Sequence, residues 1–312
     1  MSEQRADRGL SWNEQVIKEF RENNGAVGGM FEGAPLVLLT TVGRKSRKPH
    51  TNPVIHLRDG ERHLVFGSNA GSDKHPDWYH NLLASPQVTM EIGTEDGAVK
   101  PFATRAVPLE GEERHHYWEL QCSLAPPFRR YEEQTDREIP VVALYPLDLS
   151  AESERTRPIG QQLIAHHQDL RAELARVRAE IEGALTGGDG PEGVRPPAAG
   201  LTEELRRRCL TYCYGLQLHH IREDGAFSAF ERQWPWLGPA IERLRAEHRV
   251  VEEALAGFEE LLEQARNGET DAAAVHDELE KVTGGLEDHF AYEERVLLPA
   301  LDQSPSPSPP SP

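Results

Sequence analysis

Cysteine is scarce in this chain of 312 residues: Cys122, Cys209 and Cys213 are too few for a disulfide scaffold. Cys209 and Cys213 stand four apart in a helical pattern, where core packing explains them, and a reducing cytoplasm is the expected setting. Basic charge is scarce too. Against 52 Asp and Glu there are 34 Lys and Arg, a formal net charge of -18, so no nucleic-acid partner is expected without a basic footprint. No apolar run reaches 18 residues, so no membrane span is expected. Met1 to Gly9 is polar and lacks an apolar signal core, so export is not expected either. Neither a GxGxxG after a strand nor a GxxxxGK followed by Ser or Thr occurs, which removes the dinucleotide and P-loop signatures. What is present is globular: 38% hydrophobic and 28% charged residues, over a length that allows two domains with separate cores.

The first half reads as short strands with a few helices. Trp12 to Arg21 predicts an amphipathic helix, with Trp12, Val16, Ile17 and Phe20 on one face, followed by a Gly-rich turn over Gly25 to Gly33. Leu36 to Val42 is strand-like, Asn52 to Leu57 and His63 to Gly67 flank an Asp59-Gly60 hairpin signal, and Val88 to Ile92, Lys100 to Val107 and Ile139 to Tyr145 add three more strands. Helices are expected over Trp78 to Ala84 and Glu110 to Cys122. This pattern suggests a small β-barrel decorated by helices.

Between the first two strands lies a basic loop in an acidic chain: Arg44, Lys45, Arg47 and Lys48, with Ser46 and the Gly43 backbone as further donors. It could cradle a phosphate or carboxylate tail, or be a solvated hairpin tip. A second stretch, Gly67 to Pro86, is rich in small residues and backbone donors and leads into an aromatic helix start, which suits a ring-bearing, phosphorylated cofactor. Together "LLTTVGRKSRKPHTNPV", "GSNAGSDKHPDWYHNLLASP" and "YEEQTDREIPVVAL" resemble the deazaflavin (F420)-dependent nitroreductase family. The resemblance implies a split β-barrel in which reduced F420 delivers a hydride to a nitro compound, a quinone or a related acceptor. It implies that Arg44, Lys45, Ser46 and Lys48 hold the phosphate and polyglutamate end of F420. Asn52, Pro53 and Val54 would lie along the deazaflavin ring, and Ser68, Ala70, Gly71, Lys74, Pro76, Trp78 and Asn81 would form the opposite wall. Tyr131, ahead of Thr135 and Arg137, matches a family tyrosine near the substrate, whose phenol could donate to the accepting oxygen. Two departures stand out: Arg47 takes the place of a usual glycine, and Leu124 to Arg130 carries few aromatics for a quinone pocket.

Past Ser150 to Pro158, a charged stretch closed by proline that reads as a joint, the pattern turns helical. Helix A carries Leu163, His167, Leu170, Leu174, Val177 and Ile181 at spacing 4-3-4-3-4. A Gly/Pro-rich break over Thr186 to Gly200 follows. Helix B carries Leu205, Cys209, Tyr212, Leu216, His219, Glu223 and Phe227; helix C carries Ile241, Leu244, His248, Val251, Leu255, Phe258 and Leu262. Helix D carries Val275, Leu279, Val282, Leu286, His289, Glu293 and Val296. Four such seams predict an up-down four-helix bundle. Each seam has a histidine where a leucine is due. One buried histidine is usually a hydrogen-bonded core residue. Four of them, two with a carboxylate one turn on, instead suggest a metal site, because buried carboxylates are costly and a cation compensates them. Imidazole plus carboxylate in a bundle is the ligand set of a di-iron site.

These residues resemble the hemerythrin-like, or HHE cation-binding, family. The resemblance implies His167, His219, Glu223, His248, His289 and Glu293 as ligands to non-haem iron, with the two carboxylates bridging. His166 and His220 fall one step off the seam and are second choices. Where oxygen-carrying hemerythrins have a second histidine one turn after that of helix C, this chain has Glu252, so the site is expected to be one imidazole short or to use Glu252. Such a carboxylate-rich site would favour oxygen, peroxide or nitric oxide chemistry or sensing over reversible oxygen carriage. Seam phase favours Glu293 as the helix D carboxylate, while the spacing of some family members favours Glu294.

The expectation is therefore a multidomain α+β protein: a split β-barrel over residues 1–149, a linker over 150–158, a four-helix bundle over 159–302 and a disordered Ser/Pro tail over 303–312. It is expected to be an oxidoreductase acting on a small-molecule acceptor, with a homodimer through the barrel allowed by the resemblance. Two other readings stand beside it: electrons passing from reduced F420 to the iron pair, or a non-enzymatic F420- and iron-binding protein.

Overall fold

The computed structural model describes residues 11–95, 97–149, 156–186 and 202–302. Met1 to Gly9, most of the linker, the Gly/Pro-rich break beyond Thr186 and the Ser/Pro tail lie outside the described residues. Contacts divide the chain into two compact units. The first runs to Leu147 and takes in Ile221–Ala229; the second holds Asp148–His220 and the chain from Phe230 onward.

In the first unit six antiparallel strands close a barrel in the order β1-β2-β3-β6-β5-β4. They are β1 (Leu36–Val42), β2 (Pro49–Asp59), β3 (Arg62–Phe66), β4 (Gln87–Gly93), β5 (Val99–Pro108) and β6 (Val141–Pro146). The Asp59-Gly60 signal makes the expected hairpin, Asp59 pairing with Arg62 across a turn in which Gly60 takes φ +60°, a value glycine adopts without steric cost. Val37, Leu39, Val54, Val65, Met90, Ala106, Val142 and Leu144 bring all six strands, with Val88, to one cluster, the barrel interior. Trp78 and Leu82 of α2 (Asp77–Ala84) join it, so this helix plugs the barrel. The alternate residues of the strands are buried from outside. Leu36 and Leu38 pack under α1 (Trp12–Glu22), which a Ser11–Glu14 capping box starts. Leu64, Phe66, Val141 and Ala143 pack under α3 (Gly111–Leu124) and α4 (Pro127–Glu133). Both faces of β1 are covered, which is why its seven residues read as one unbroken run with little alternation.

The helical region has α5 (Thr156–Thr186), α6 (Glu203–Gln233), α7 (Gly238–Arg266), α8 (Ala272–Thr283) and α9 (Leu286–Leu301). α5 starts three residues inside the predicted joint, with Pro158 in its first turn, where a missing N–H costs nothing. Thr202 and Asp271 cap α6 and α8, each accepting a backbone N–H. The predicted helix D is two helices, interrupted at Gly284-Gly285, the poorest helix formers in the segment. Both pieces pack on α5 and α7, so together they fill the place of a fourth helix. The seam runs through the break: Val282 and Leu286 share one core with Leu174, Ile181, Leu216, Leu255 and Phe258. Cys209 and Cys213 lie in that core, where burial pushes the Cys209 thiol up to about 12 and the Cys213 thiol higher. They pack as apolar residues and are not thiolates. No helix among the described residues is long and apolar enough to cross a membrane.

Candidate functional sites

The seam histidines converge. His167 of α5, His219 and Glu223 of α6 and Glu293 of α9 form one buried group, with donor atoms all within 4.8 Å of one another. His220 of α6, His248 of α7 and His289 of α9 form a second buried group within the same limit. Glu293 lies between them. Its Oε2 is 3.4 Å from Nε2 of His167 and 3.9 Å from Nε2 of His289, and the residue is 0% exposed. Nε2 of His167 and of His219 are 3.1 Å apart. The rings are held by stacking: His220 on His248 at 4.1 Å, and His167 on Phe290 at 4.3 Å. Oppositely, His166 is exposed and belongs to neither group, meeting His219 edge-on at 6.2 Å.

Three expectations change here. His220, read as off the seam, is buried in the second group, so five imidazoles and not four surround the two carboxylates. Consecutive helical residues diverge by about 100°, so two neighbours facing a bundle interior can serve two adjacent points. Glu252 is exposed and outside both groups. Glu294 is not in the cluster; its Oε1 lies 2.7 Å from Nδ1 of His167, on the far side of that ring. Burial pulls the Glu294 carboxyl up, but the bonds to His167 and Arg171 outweigh this and hold it below its usual value. Glu247 behaves alike, raised by burial and brought below its usual value by His289 and Arg243. An imidazole–carboxylate set of this kind fits a pair of iron ions: two carboxylates offset cationic charge, and neutral rings supply the remaining bonds.

In the barrel, the basic loop joins β1 to β2. Gly43 N–H donates to Lys48 O and Arg47 N–H to Gly43 O, both at 2.8 Å, which closes a tight turn. Arg44, Lys45, Ser46 and Arg47 are exposed and Lys48 is half-buried. A side chain on Gly43 would meet Ser46 Oγ at 2.2 Å and displace that hydroxyl. Arg47 sits at φ +62°, a left-handed conformation, which explains why a glycine would be the usual occupant. Asn81, buried, accepts from Arg44 N–H at 3.1 Å and donates to Thr41 Oγ1 at 3.2 Å, so it ties the second stretch to the loop. Trp78 and Val54 are core residues of the barrel. Asn52 and Pro53 pair with Leu39 and Leu38 on β1 and are half-buried.

The turn over Ser68 to Ser72 is strained. Asn69, Ala70 and Gly71 all have positive φ, and a side chain on Gly71 would meet Gln134 at 2.3 Å. Ser68 is right-handed and Asn69 left-handed, the backbone sequence of an anion-binding nest. Arg137 holds the turn, donating to Ser68 O at 2.6 Å and Ser72 O at 2.7 Å, while Thr135 Oγ1 donates to Asp73 at 3.0 Å. Sequence reading placed Thr135 and Arg137 only as neighbours of Tyr131. Tyr131 is half-buried on α4, its ring 5.5 Å from Phe128, and α4 packs against the 69–71 turn. Lys74 is exposed and Pro76 caps the start of α2.

Residues 12–146 match the model of the F420H(2)-dependent quinone reductase family. An F420H(2)-dependent quinone reductase of Mycobacterium tuberculosis is 34% identical over 129 residues, 40% of this chain and 83% of that protein. The chain belongs to the F420H(2)-dependent quinone reductase family. Residues 159–301 match the hemerythrin HHE cation-binding domain, so this reductase carries a hemerythrin domain behind its barrel. Two solved chains are similar to the reductase part. One, an F420-H2-dependent reductase, is 39% identical and covers 35% of this chain and 93% of its own, with a TM-score of 0.32. The other, described as a domain-swapped dimer, is 36% identical and covers 42% and 92%, with a TM-score of 0.34. The chain is an F420-dependent oxidoreductase, and its cofactors are F420 for the reductase part and an iron pair for the hemerythrin domain.

Proposed function

We propose that the barrel reduces a quinone, a nitro compound or a related acceptor, and that the bundle binds two irons as a module for oxygen, peroxide or nitric oxide. In the barrel, Arg44, Lys45, Ser46 and Lys48 meet the anionic end of F420, their exposure leaving the tail accessible. Ser68, Ala70, Gly71, Lys74, Pro76 and the neighbouring backbone, braced by Arg137, form one wall; Asn52 and Pro53 line the other. Trp78, Asn81 and Val54 act from beneath, by packing and tethering. Tyr131 donates a hydrogen bond to the accepting oxygen. When bound, reduced F420 supplies a hydride.

In the bundle, His167, His219, Glu223 and Glu293 would hold one iron, and His220, His248 and His289 would hold the second, with Glu293 near both. The single observation carrying this reading is the position of Glu293, fully buried and between the two groups. Five imidazoles remove the argument from a carboxylate-rich site, so reversible oxygen binding stands beside sensing and peroxide chemistry. The free, buried cysteines fit a reducing cytoplasm. The reductase domain spans residues 1–149 and the bundle residues 159–302 in this reading.

The test mixes iron-loaded protein anaerobically with reduced F420 while following the cofactor and the iron absorption together, then adds a quinone. The expected result is oxidation of the cofactor on adding quinone with the iron band unmoved. Failure of the quinone to oxidise it overturns the reductase assignment. If both signals change at one shared rate before quinone is added, the two parts form one electron-transfer enzyme instead.

A further inference from the structure

Two carboxylates that belong to neither buried group each grip a histidine from behind. Glu294 Oε1 lies 2.7 Å from Nδ1 of His167, and the Nε2 of that ring faces His219 and Glu293. Glu247 Oε2 lies 2.7 Å from Nδ1 of His289, and the Nε2 of that ring faces Glu293. A carboxylate only accepts, so Nδ1 carries a proton, and in the neutral ring this leaves the Nε2 lone pair as the one a metal can use. Each carboxylate is held in turn by an arginine. Arg243 donates to Glu247 at 2.8 Å, and Arg171 donates to Glu294 at 3.2 Å while reaching Glu287 at 2.9 Å. The arrangement occurs once per group: His167 belongs to the four-residue group and His289 to the three-residue group.

We propose that Glu247 and Glu294 are positioning residues that fix the tautomer and orientation of His289 and His167 and thereby set the affinity and potential of the iron pair. This rests on the two-iron reading above. An anionic acceptor at Nδ1 makes the ring a stronger donor at Nε2, and the more highly charged ferric ion gains more from this than the ferrous ion. Removing the charge while keeping the shape should therefore weaken ferric binding most and raise the midpoint potential.

The experiment uses the full chain and the variants Glu247→Gln, Glu294→Gln and, as a control that touches Arg171 but no histidine, Glu287→Gln. Iron stoichiometry and affinity, the midpoint potential of the iron pair and the melting temperature of the metal-free protein are measured for each. Wild type should take up two irons. Each of the first two variants should lose about 10- to 100-fold in iron affinity. A tenfold loss confined to the ferric state corresponds to a rise of about 59 mV. The metal-free melting temperature should hold, and Glu287→Gln should match wild type throughout. If wild type takes up no iron, the two-iron reading and this inference fall together. If wild type loads and the two variants match it in affinity and potential, only the inference falls. It falls as well if their loss of affinity accompanies an equal loss of metal-free stability, since that is a packing effect.

Discussion

Replacing Glu293 with glutamine should separate what the bundle core needs to fold from what it needs to hold metal. The side chain is fully buried and lies within 4 Å of a histidine from each group; Glu223 is the other carboxylate of the four-residue group. Iron at roughly 100 times its dissociation constant stabilises the folded state by about 2.7 kcal/mol per ion, so two ions contribute about 5 kcal/mol. The matched hemerythrin region spans residues 159–301. A region of that size has an unfolding entropy of about 0.3 kcal/mol per kelvin, so loading should raise its melting temperature by about 18 °C. Glu293→Gln should abolish most of this rise, because both positions lose a ligand. Glu223→Gln should keep at most about half, roughly 9 °C. Without metal, Glu293→Gln should melt no lower than wild type, because the amide keeps the shape and brings no charge into the core. The assay is circular dichroism at the helical band during heating, with and without ferrous iron under anaerobic conditions. Equal melting gains for the Glu293→Gln variant and wild type would refute the shared position of Glu293.

Four further outcomes are expected. Stability should fall as pH drops through the range set by half-buried His56 and its buried partner His63, whose Nδ1 atoms are 2.9 Å apart. Burial, then the charges of His63 and Arg58, holds the folded pKa of His56 near 4, so only the unfolded chain gains a proton on going from pH 7 to 5. That proton costs about 2 kcal/mol by pH 5, and urea titrations at the two pH values should show a loss that His56→Gln reduces. Arg47→Gly should raise the melting temperature of the barrel, corresponding to about 1 kcal/mol or less, by relieving the left-handed residue, whereas Arg47→Ala should not. Arg137→Met removes two charge-assisted bonds from the 68–72 turn and should weaken F420 binding about tenfold or more in a fluorescence titration, with little change in the fold. Trp118→Ala should cost about 3–5 kcal/mol in chemical denaturation, since the ring is fully buried against Phe66 and Phe128.

The elements with strong periodicity or turn chemistry were legible in the sequence. β1 was bounded correctly by its apolar run, and the Asp59-Gly60 hairpin by its turn residues. The bundle seams were legible because a 3.6-residue period survives even the Gly284-Gly285 break. That break itself was hidden, since seam phase continues across it. α4 was missed because Pro126 and Pro127 dominate its start, although proline suits the first helical positions. His220 was set aside because a one-residue step looks like a wrong face when only one target is imagined. Two targets side by side make both steps right. Glu247 and Glu294 meet histidines 42 and 127 residues away, and Arg137 meets carbonyls 65 and 69 residues away. No local spacing encodes those distances.

The adjacency of His219 and His220 has one more consequence. Both rings ride on one rigid helix, yet they serve different groups. Turning α6 about its axis to favour one ring withdraws the other, so a single rotational phase must satisfy both positions. An ion held by one group would favour that phase, and with it the alignment of the other group. Iron uptake should therefore be cooperative, with singly loaded molecules scarce at every stage of a titration.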